Sequence, residues 1–168
     1  MVAFLTRMPA GIPGDVNRAE HAVVEPQVIT PSTGTNPPTF LGQAIMIDAT
    51  SGQVRAPNSG DTGIYGFLVR AYPVQENTQT PVLGSAAPPT SGACSVLKRG
   101  YMSVTLQSGT AVKDGKVYVS VAGSGGDTVG GVYVASGTGR VALLNAYFTG
   151  PADANGITEI AIGIQQTI

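Results

Sequence analysis

The amino-acid sequence predicts an all-β fold, either a small barrel or a jelly-roll-like sandwich, with an extended N-terminal arm rich in proline and glycine. Three observations lead to this prediction. Short apolar runs are separated by clusters of Gly, Pro, Ser and Asn, several runs alternate with a period of two residues, and no long amphipathic helix is visible. Because parallel strands need long and usually helical connections, strands without such connections favour a sandwich or a closed barrel.

The first quarter of the chain differs in composition from the rest, and we predict an arm over residues 1–41 and a β domain over residues 42–168. Half of the twelve prolines precede residue 41. Each proline removes a backbone donor and favours an extended preceding residue, so this segment cannot form a long helix. It is also too apolar for a solvated tail, and we expect it to lie across a neighbouring molecule. The alternative is that the arm folds back onto its own barrel.

Turn signals divide the β domain into successive strands. The pair Asp114-Gly115 suits a turn with positive φ, and Gly137-Thr138-Gly139 predicts the turn before a long strand. The predicted strands cover residues 44–48, 64–74, 101–106, 116–121, 131–135, 140–149 and 157–164.

Two of these strands alternate clearly between apolar and polar residues. In residues 101–106, Met, Val and Leu are expected to face inward, while Ser103 faces outward with its polar neighbours. In residues 116–121, three valines are expected to face inward, while Ser120 faces outward. A period of two is typical of strands with one face buried and the other in water.

The composition indicates a component of an assembly. Charged residues make up 11% of the chain and hydrophobic residues 42%, whereas soluble domains carry about 25% charged residues. Depletion of charge is typical of buried interface centres. The alternative is a small neutral domain whose surface is made of Ser, Thr, Asn and Gln. With a net charge of −1, the chain has no basic field for phosphates, so we expect no direct contact with nucleic acid.

Cysteine content and hydropathy indicate where the protein is made. The single cysteine, Cys94, cannot form an intrachain disulfide, which agrees with synthesis in a reducing cytoplasm. No segment approaches the ~20 apolar residues of a membrane helix, so we expect no membrane partner.

Residues with catalytic or metal-binding chemistry are scarce. His21 is the only histidine, and Cys94 has no basic residue close to it in sequence, so neither is expected to be catalytic. We expect no enzyme activity, no cofactor and no multi-histidine or multi-cysteine metal site. The loops around Asp127 and Asp153 leave weak calcium binding open, although no Asp-x-Asp spacing supports it.

Two stretches resemble a known family. Residues 4–18, FLTRMPAGIPGDVNR, and residues 65–73, YGFLVRAYP, are similar to the structural cement proteins, also called decoration proteins, of tailed bacteriophages. The resemblance implies a virion protein that binds the capsid exterior in many copies and clamps neighbouring major capsid subunits. It also implies self-association as a dimer or trimer at local symmetry axes, and synthesis in the host bacterial cytoplasm.

For such a protein, the arm supplies candidate contacts with the major capsid protein. Apolar side chains are expected to be buried anchors, and arginines to fix the register through bidentate contacts with carboxylates or carbonyls. The predicted capsid-contact residues are Phe4, Leu5, Arg7, Met8, Ile12 and Arg18.

Three other functions compete with this one. A tail or baseplate protein would also be β-rich and low in charge, but it would be present in few copies per particle. A carbohydrate-binding module would need aromatic platforms, which a chain with no Trp, six Tyr and four Phe supplies poorly. An enzyme is the weakest alternative.

Overall fold

The computed structural model describes residues 11–29, 36–70, 87–89 and 91–163. Two short 3-10 turns, Ala19–His21 and Ser124–Gly126, are the helical elements of this part of the chain. The strands in these residues are β1 (Val23–Ile29), β2 (Ala44–Ile47), β3 (Val54–Arg55), β4 (Gly66–Leu68), β5 (Gly92–Ser108), β6 (Lys116–Ser120), β7 (Val132–Tyr133), β8 (Arg140–Phe148) and β9 (Ile157–Ile162).

The strands close into two circuits of five. The first runs β1-β3-β2-β4-β5 and closes because β5 also pairs with β1. The second runs β5-β7-β6-β8-β9 and closes because β9 also pairs with β5. Closure leaves fewer free sheet edges. The predicted all-β fold is confirmed, and a small barrel is the architecture found.

Strand β5 belongs to both circuits and changes partners near Gly100. Before this residue β5 pairs with β1 and β4, and from Gly100 onward it pairs with β9 and then β7. Gly100 has a φ of 136°, a conformation that side chains rarely adopt, and an added Cβ would lie 3.1 Å from the Cα of Ala22. Glycine therefore allows the strand to bend from one circuit into the other.

Two short contacts between strands are parallel. Ile29 of β1 pairs with Val54 of β3, and Leu106 of β5 pairs with Val132 of β7. Both connections exceed the dozen residues that a parallel pair requires, and the second contains β6. Long connections therefore suffice for these brief parallel pairings, and the helical element in their described parts is the 3-10 turn Ser124–Gly126. The parallel pairings were not predicted from the sequence.

The core consists of two apolar clusters separated by a wall of β2, β4 and β5. Neighbouring residues in these strands point into different clusters, so both faces of the wall are buried. This explains why residues 44–47 are continuously apolar, since a strand covered on both sides has no solvated face. The neighbours that separate in this way are Ala44 and Ile45 in β2, Phe67 and Leu68 in β4, and Leu97 and Val96 in β5.

Two serines predicted to face solvent are fully buried. Ser103 is 0% exposed because the chain at residues 11–17 covers it, and the Asn17 side chain donates a hydrogen bond to its Oγ at 3.0 Å. Ser120 is 0% exposed because the following loop folds over it, and the Gly123 N–H donates to its Oγ at 3.3 Å. Alternation identified the inner faces correctly but could not show that loops cover the outer ones.

Several element bounds differ from the prediction. The strand predicted over residues 64–74 is observed only at Gly66–Leu68, and residues 71–74 lie outside the described residues. Strand β1 was not predicted, because Pro26 lies inside it. Proline is tolerated there because β1 pairs along one side with β5 and contacts β3 only at Ile29. Although β1 pairs with the body, the domain division after residue 41 stays a prediction.

Candidate functional site

The described part of the predicted arm lies against its own barrel. Gly14 N–H donates to the carbonyl of Ser103 at 2.8 Å, and Ser103 N–H donates to the carbonyl of Asp15 at 3.0 Å. Two residues after Asp15, the Asn17 N–H donates to the carbonyl of Tyr101 at 3.0 Å. After a turn in which the Asp15 N–H donates to the Ile12 carbonyl, residues 14–17 thus run alongside β5, with an isolated antiparallel bridge between Val16 and Met102.

Side chains reinforce this attachment at Glu159 of β9. The Asn17 side chain donates to one carboxylate oxygen and the Arg18 guanidinium to the other, each at 3.0 Å. The same guanidinium lies 3.9 Å from the centre of the Tyr101 ring. A third donor, the Thr149 hydroxyl, is 2.7 Å from Glu159. We call Glu159, its three donors Asn17, Arg18 and Thr149, and the Tyr101 ring beneath Arg18 the arm staple.

The predicted capsid-contact residues fall into two groups. Ile12 is half-buried, and Arg18 is held in the arm staple, so the structure places these two on the barrel. Their contact with a capsid stays a prediction. The four that lie outside the described residues are Phe4, Leu5, Arg7 and Met8.

Strand β1 carries an exposed apolar surface that was not singled out from the sequence. Val23, Val24 and Val28 are 47%, 41% and 46% exposed, and Pro26 between them is exposed as well. The pairing with β5 shifts register between Val23 and Val24, so both are exposed although they are adjacent. We call Val23, Val24 and Val28 the valine face. The spacing of Val24, Pro26 and Val28 was the signal that could have revealed it.

Glu25 and Gln27 of the same strand point instead toward Tyr65. The Tyr65 hydroxyl donates to the Glu25 carboxylate and accepts from the Gln27 amide at 3.2 Å. The hydrogen bond to Glu25 raises the pKa of the Tyr65 hydroxyl. These contacts hold β1 in register, so the valine face is a fixed surface.

Much of the charge in the described residues is neutralised within the chain. Arg55 forms a bidentate pair with Asp61 at 2.8 and 2.9 Å, and Arg140 forms one with Asp127 at 2.6 and 2.8 Å. These hydrogen bonds hold the pKa of both carboxyls below its usual range. Arg70 lies 3.5 Å from a carboxylate oxygen of Asp15, and Arg18 adds its pair in the arm staple.

Three tyrosine faces are also occupied from within. The Lys98 ammonium lies 3.3 Å from the centre of the Tyr65 ring, and the Arg140 guanidinium lies 3.8 Å from that of Tyr133. The Arg18 guanidinium covers one face of Tyr101. A sugar ring would need an open aromatic face, and the face occupied by the cation is not available in any of these three tyrosines.

Cys94 and His21 are the two residues that were considered for catalysis, and they lie in different environments. Cys94 is partly buried against the smaller core cluster, and burial raises the pKa of its thiol, the opposite of an activated nucleophile. His21 is exposed, with its ring edge toward Tyr101 at a centroid distance of 6.1 Å. The His21 ring nitrogen lies 3.8 Å from the carboxylate of its chain neighbour Glu20, and both side chains are more than half exposed.

In each of the two loops considered for calcium binding, the acidic side chain makes contacts within the chain. Asp127 is held by Arg140, and an Asp153 oxygen accepts the N–H groups of Asn155 and Ile157 at 2.9 Å each. Within the described ranges, no group of three or more His, Cys, Asp or Glu side chains could hold a metal ion. In the same part of the chain, no helix combines the length and the hydropathy needed to cross a membrane.

Comparison with known proteins adds two findings. The family model described as XM1 gp53 minor capsid protein matches residues 1–162. A chain in the solved structure "The capsid of Myoviridae Phage XM1" is similar over 95% of this chain and 94% of that chain, with a TM-score of 0.67 and 20% sequence identity. At this identity the likeness shows a shared fold. No curated protein matches the sequence.

Proposed function

Because the chain belongs to the XM1 gp53 minor capsid protein family, we propose that it is a phage virion protein that cements the capsid shell. It binds the outside of the shell in many copies and clamps neighbouring major capsid subunits. The role is one of binding, without catalysis, metal or cofactor. The major capsid protein is the direct partner.

The valine face is the observation that carries this proposal. It is apolar and lies on a strand held along its length by β5. Interface centres are depleted of charge, and covering a half-exposed valine contributes roughly 1 kcal/mol. A shell subunit that covers the valine face therefore gains affinity without having to desolvate a charged group.

Clamping requires a second contact, which we assign to residues 1–10. They precede Gly11 and include the apolar residues predicted as anchors, chiefly Phe4, Leu5 and Met8. When one contact is made, the second becomes intramolecular and benefits from a high effective concentration. Two weak contacts on adjacent subunits then sum to a stable attachment.

Copy number tests the placement on the shell. Quantitative mass spectrometry of purified particles should give a ratio to the major capsid protein within a few-fold of one. A few copies per particle would instead indicate the tail or baseplate, and absence from particles would contradict a virion role.

Binding of purified variants to particles that lack the protein tests the contacts. Deleting residues 2–10 leaves Gly14, Asp15 and Asn17 in place on β5, so the barrel should keep its melting temperature while shell binding weakens. The double variant V24D/V28D should weaken binding roughly tenfold or more. The control V112D changes a valine that is 60% exposed outside β1. If V24D/V28D binds as tightly as V112D, the valine face is not the contact.

A further inference from the structure

Strand β8 contains a wide bulge that pushes one leucine into solvent. Lys116 of β6 pairs with Tyr147, but Tyr118 pairs with Ala142, so two steps along β6 correspond to five steps along β8. Asn145 within the bulge has a φ of 59°, and its carbonyl accepts the Gly163 N–H at 2.8 Å. Leu144 is 90% exposed as a result. Such a large apolar side chain at the tip of a fixed bulge forms a knob.

An open cleft of about 370 Å³ lies beside this knob. It is lined by residues 62–66, by the β8 bulge including Leu144, and by Lys98, Ile162 and Gly163. Leu144 therefore stands at the rim of the cleft. The knob and the hole occupy one face of the molecule.

Most of the cleft lining is uncharged. Lys98 is the charged side chain of its described lining, and the Lys98 ammonium donates to the carbonyl of Tyr65 at 2.6 Å while lying over the Tyr65 ring. An anionic occupant would compete with Tyr65 for this ammonium, and a cationic occupant would be repelled by it. The chemistry of the cleft favours an uncharged apolar side chain.

We infer that the occupant is Leu144 of a second copy of this chain, and that two copies associate about a twofold axis through this face. A twofold interface uses the same patch on both molecules, so a knob beside a hole fits itself: each Leu144 enters the cleft of the other copy. The charged side chain of the described lining, Lys98, is already held by Tyr65 of its own chain. The inference goes beyond the proposed function and does not depend on it.

The test is the molar mass of the purified full chain by sedimentation equilibrium from micromolar to submillimolar concentration. We expect a monomer–dimer equilibrium. L144D removes the knob and should weaken dimerisation roughly tenfold or more. Because Leu144 is exposed in the monomer, L144D should keep the melting temperature of the wild type.

A second variant, G63F, places a large side chain in the cleft. A Cβ added at Gly63 would meet no atom within 4 Å, and Gly63 does not need a positive φ. G63F should therefore fold, occupy the cleft and weaken dimerisation as L144D does. The matched controls G63A and V112D should dimerise like the wild type.

Three results would overturn the inference. They are a wild-type chain that stays monomeric over the whole range, a trimer or larger ring, and a dimer that survives both L144D and G63F. Shell binding is measured separately on particles, so failure here is distinguishable from failure of the proposed function.

Discussion

Asp61 shows how a single carboxylate organises a loop in a chain with few charges. Both terminal guanidinium nitrogens of Arg55 donate to it, and the Asn58 N–H donates to it at 2.7 Å. The hydrogen bonds from Arg55 lower the pKa of Asp61, so the folded state binds this proton less tightly than the unfolded state. The resulting stability is present above the unfolded pKa and is lost as the pH falls through the folded pKa.

Replacing Asp61 with Asn should therefore be costly at neutral pH and less costly in acid. We expect D61N to lower the free energy of unfolding by about 1 to 2 kcal/mol at neutral pH. The difference from the wild type should begin to shrink below about pH 4, where Asp61 of the unfolded wild type becomes protonated, and should vanish once folded Asp61 is protonated as well. Urea unfolding at both pH values measures this.

The matched control is D114N, because Asp114 is exposed and has a φ of 63°, which Asn tolerates well. It should leave stability nearly unchanged. An equal loss for D61N at neutral and acidic pH would contradict the lowered pKa.

Between elements, the arm staple connects the chain that precedes β1 with β9. Its ion pair is partly exposed, with 46% of the Arg18 side chain accessible. Such pairs contribute about 0.2 to 1 kcal/mol, so breaking one should loosen the segment without unfolding the barrel.

The variant E159Q should accordingly speed tryptic cleavage after Arg18 roughly threefold while global stability falls only slightly. Mass spectrometry of timed digests measures the rate, with cleavage in the exposed turn at Lys113 as an internal reference. The control E20Q alters an acid of the same segment whose side chain is 71% exposed. If E159Q and E20Q are cleaved alike, Glu159 does not hold the arm.

The strands flanked by turn signals were the easiest to delimit. Strands β6, β8 and β9 begin or end within two residues of their predicted bounds, because each begins just after a glycine-containing turn. Alternation did not give the bounds of β5, which was predicted over residues 101–106 and spans Gly92–Ser108. Strand β1 was not predicted, because Pro26 lies within it and proline normally interrupts a strand. The pairing of β1 with β5 is also a contact between segments far apart in sequence. Burial of Ser103 was not predicted for the same reason, because residues 11–17, which cover it, are far from it in sequence.

The candidate surfaces were predictable only in kind. Low charge indicated an interface, but the valine face depends on which side of β1 meets β5, and Leu144 depends on a bulge that follows from pairing. Both are consequences of strand register, which turn signals do not fix. The arm residues before Gly11 remain a prediction from the sequence.

For the whole molecule, internal pairing of charges determines how attachment responds to salt. Four arginines are engaged by acids of the same chain, and the valine face is uncharged. Salt screens attraction between free surface charges and has little effect on apolar contact.

We therefore expect shell binding to change less than about twofold between roughly 50 and 500 mM NaCl. Sedimentation of the protein with particles at each salt concentration measures the bound fraction. D61N is a useful comparison, because it frees the Arg55 cation and should make binding more dependent on salt. Release of the wild type at high salt would indicate that free charges hold it to the shell.

Strand β5 has a mechanical consequence. One continuous backbone of seventeen residues is part of both five-stranded circuits. If one circuit is pulled away from the other, the load runs along covalent bonds, and the hydrogen bonds of β5 with its neighbours are sheared along their whole length together. A two-lobed protein joined by a flexible linker would instead let its halves drift apart under the same tension. The shared strand should therefore make the molecule resist extension between its two circuits.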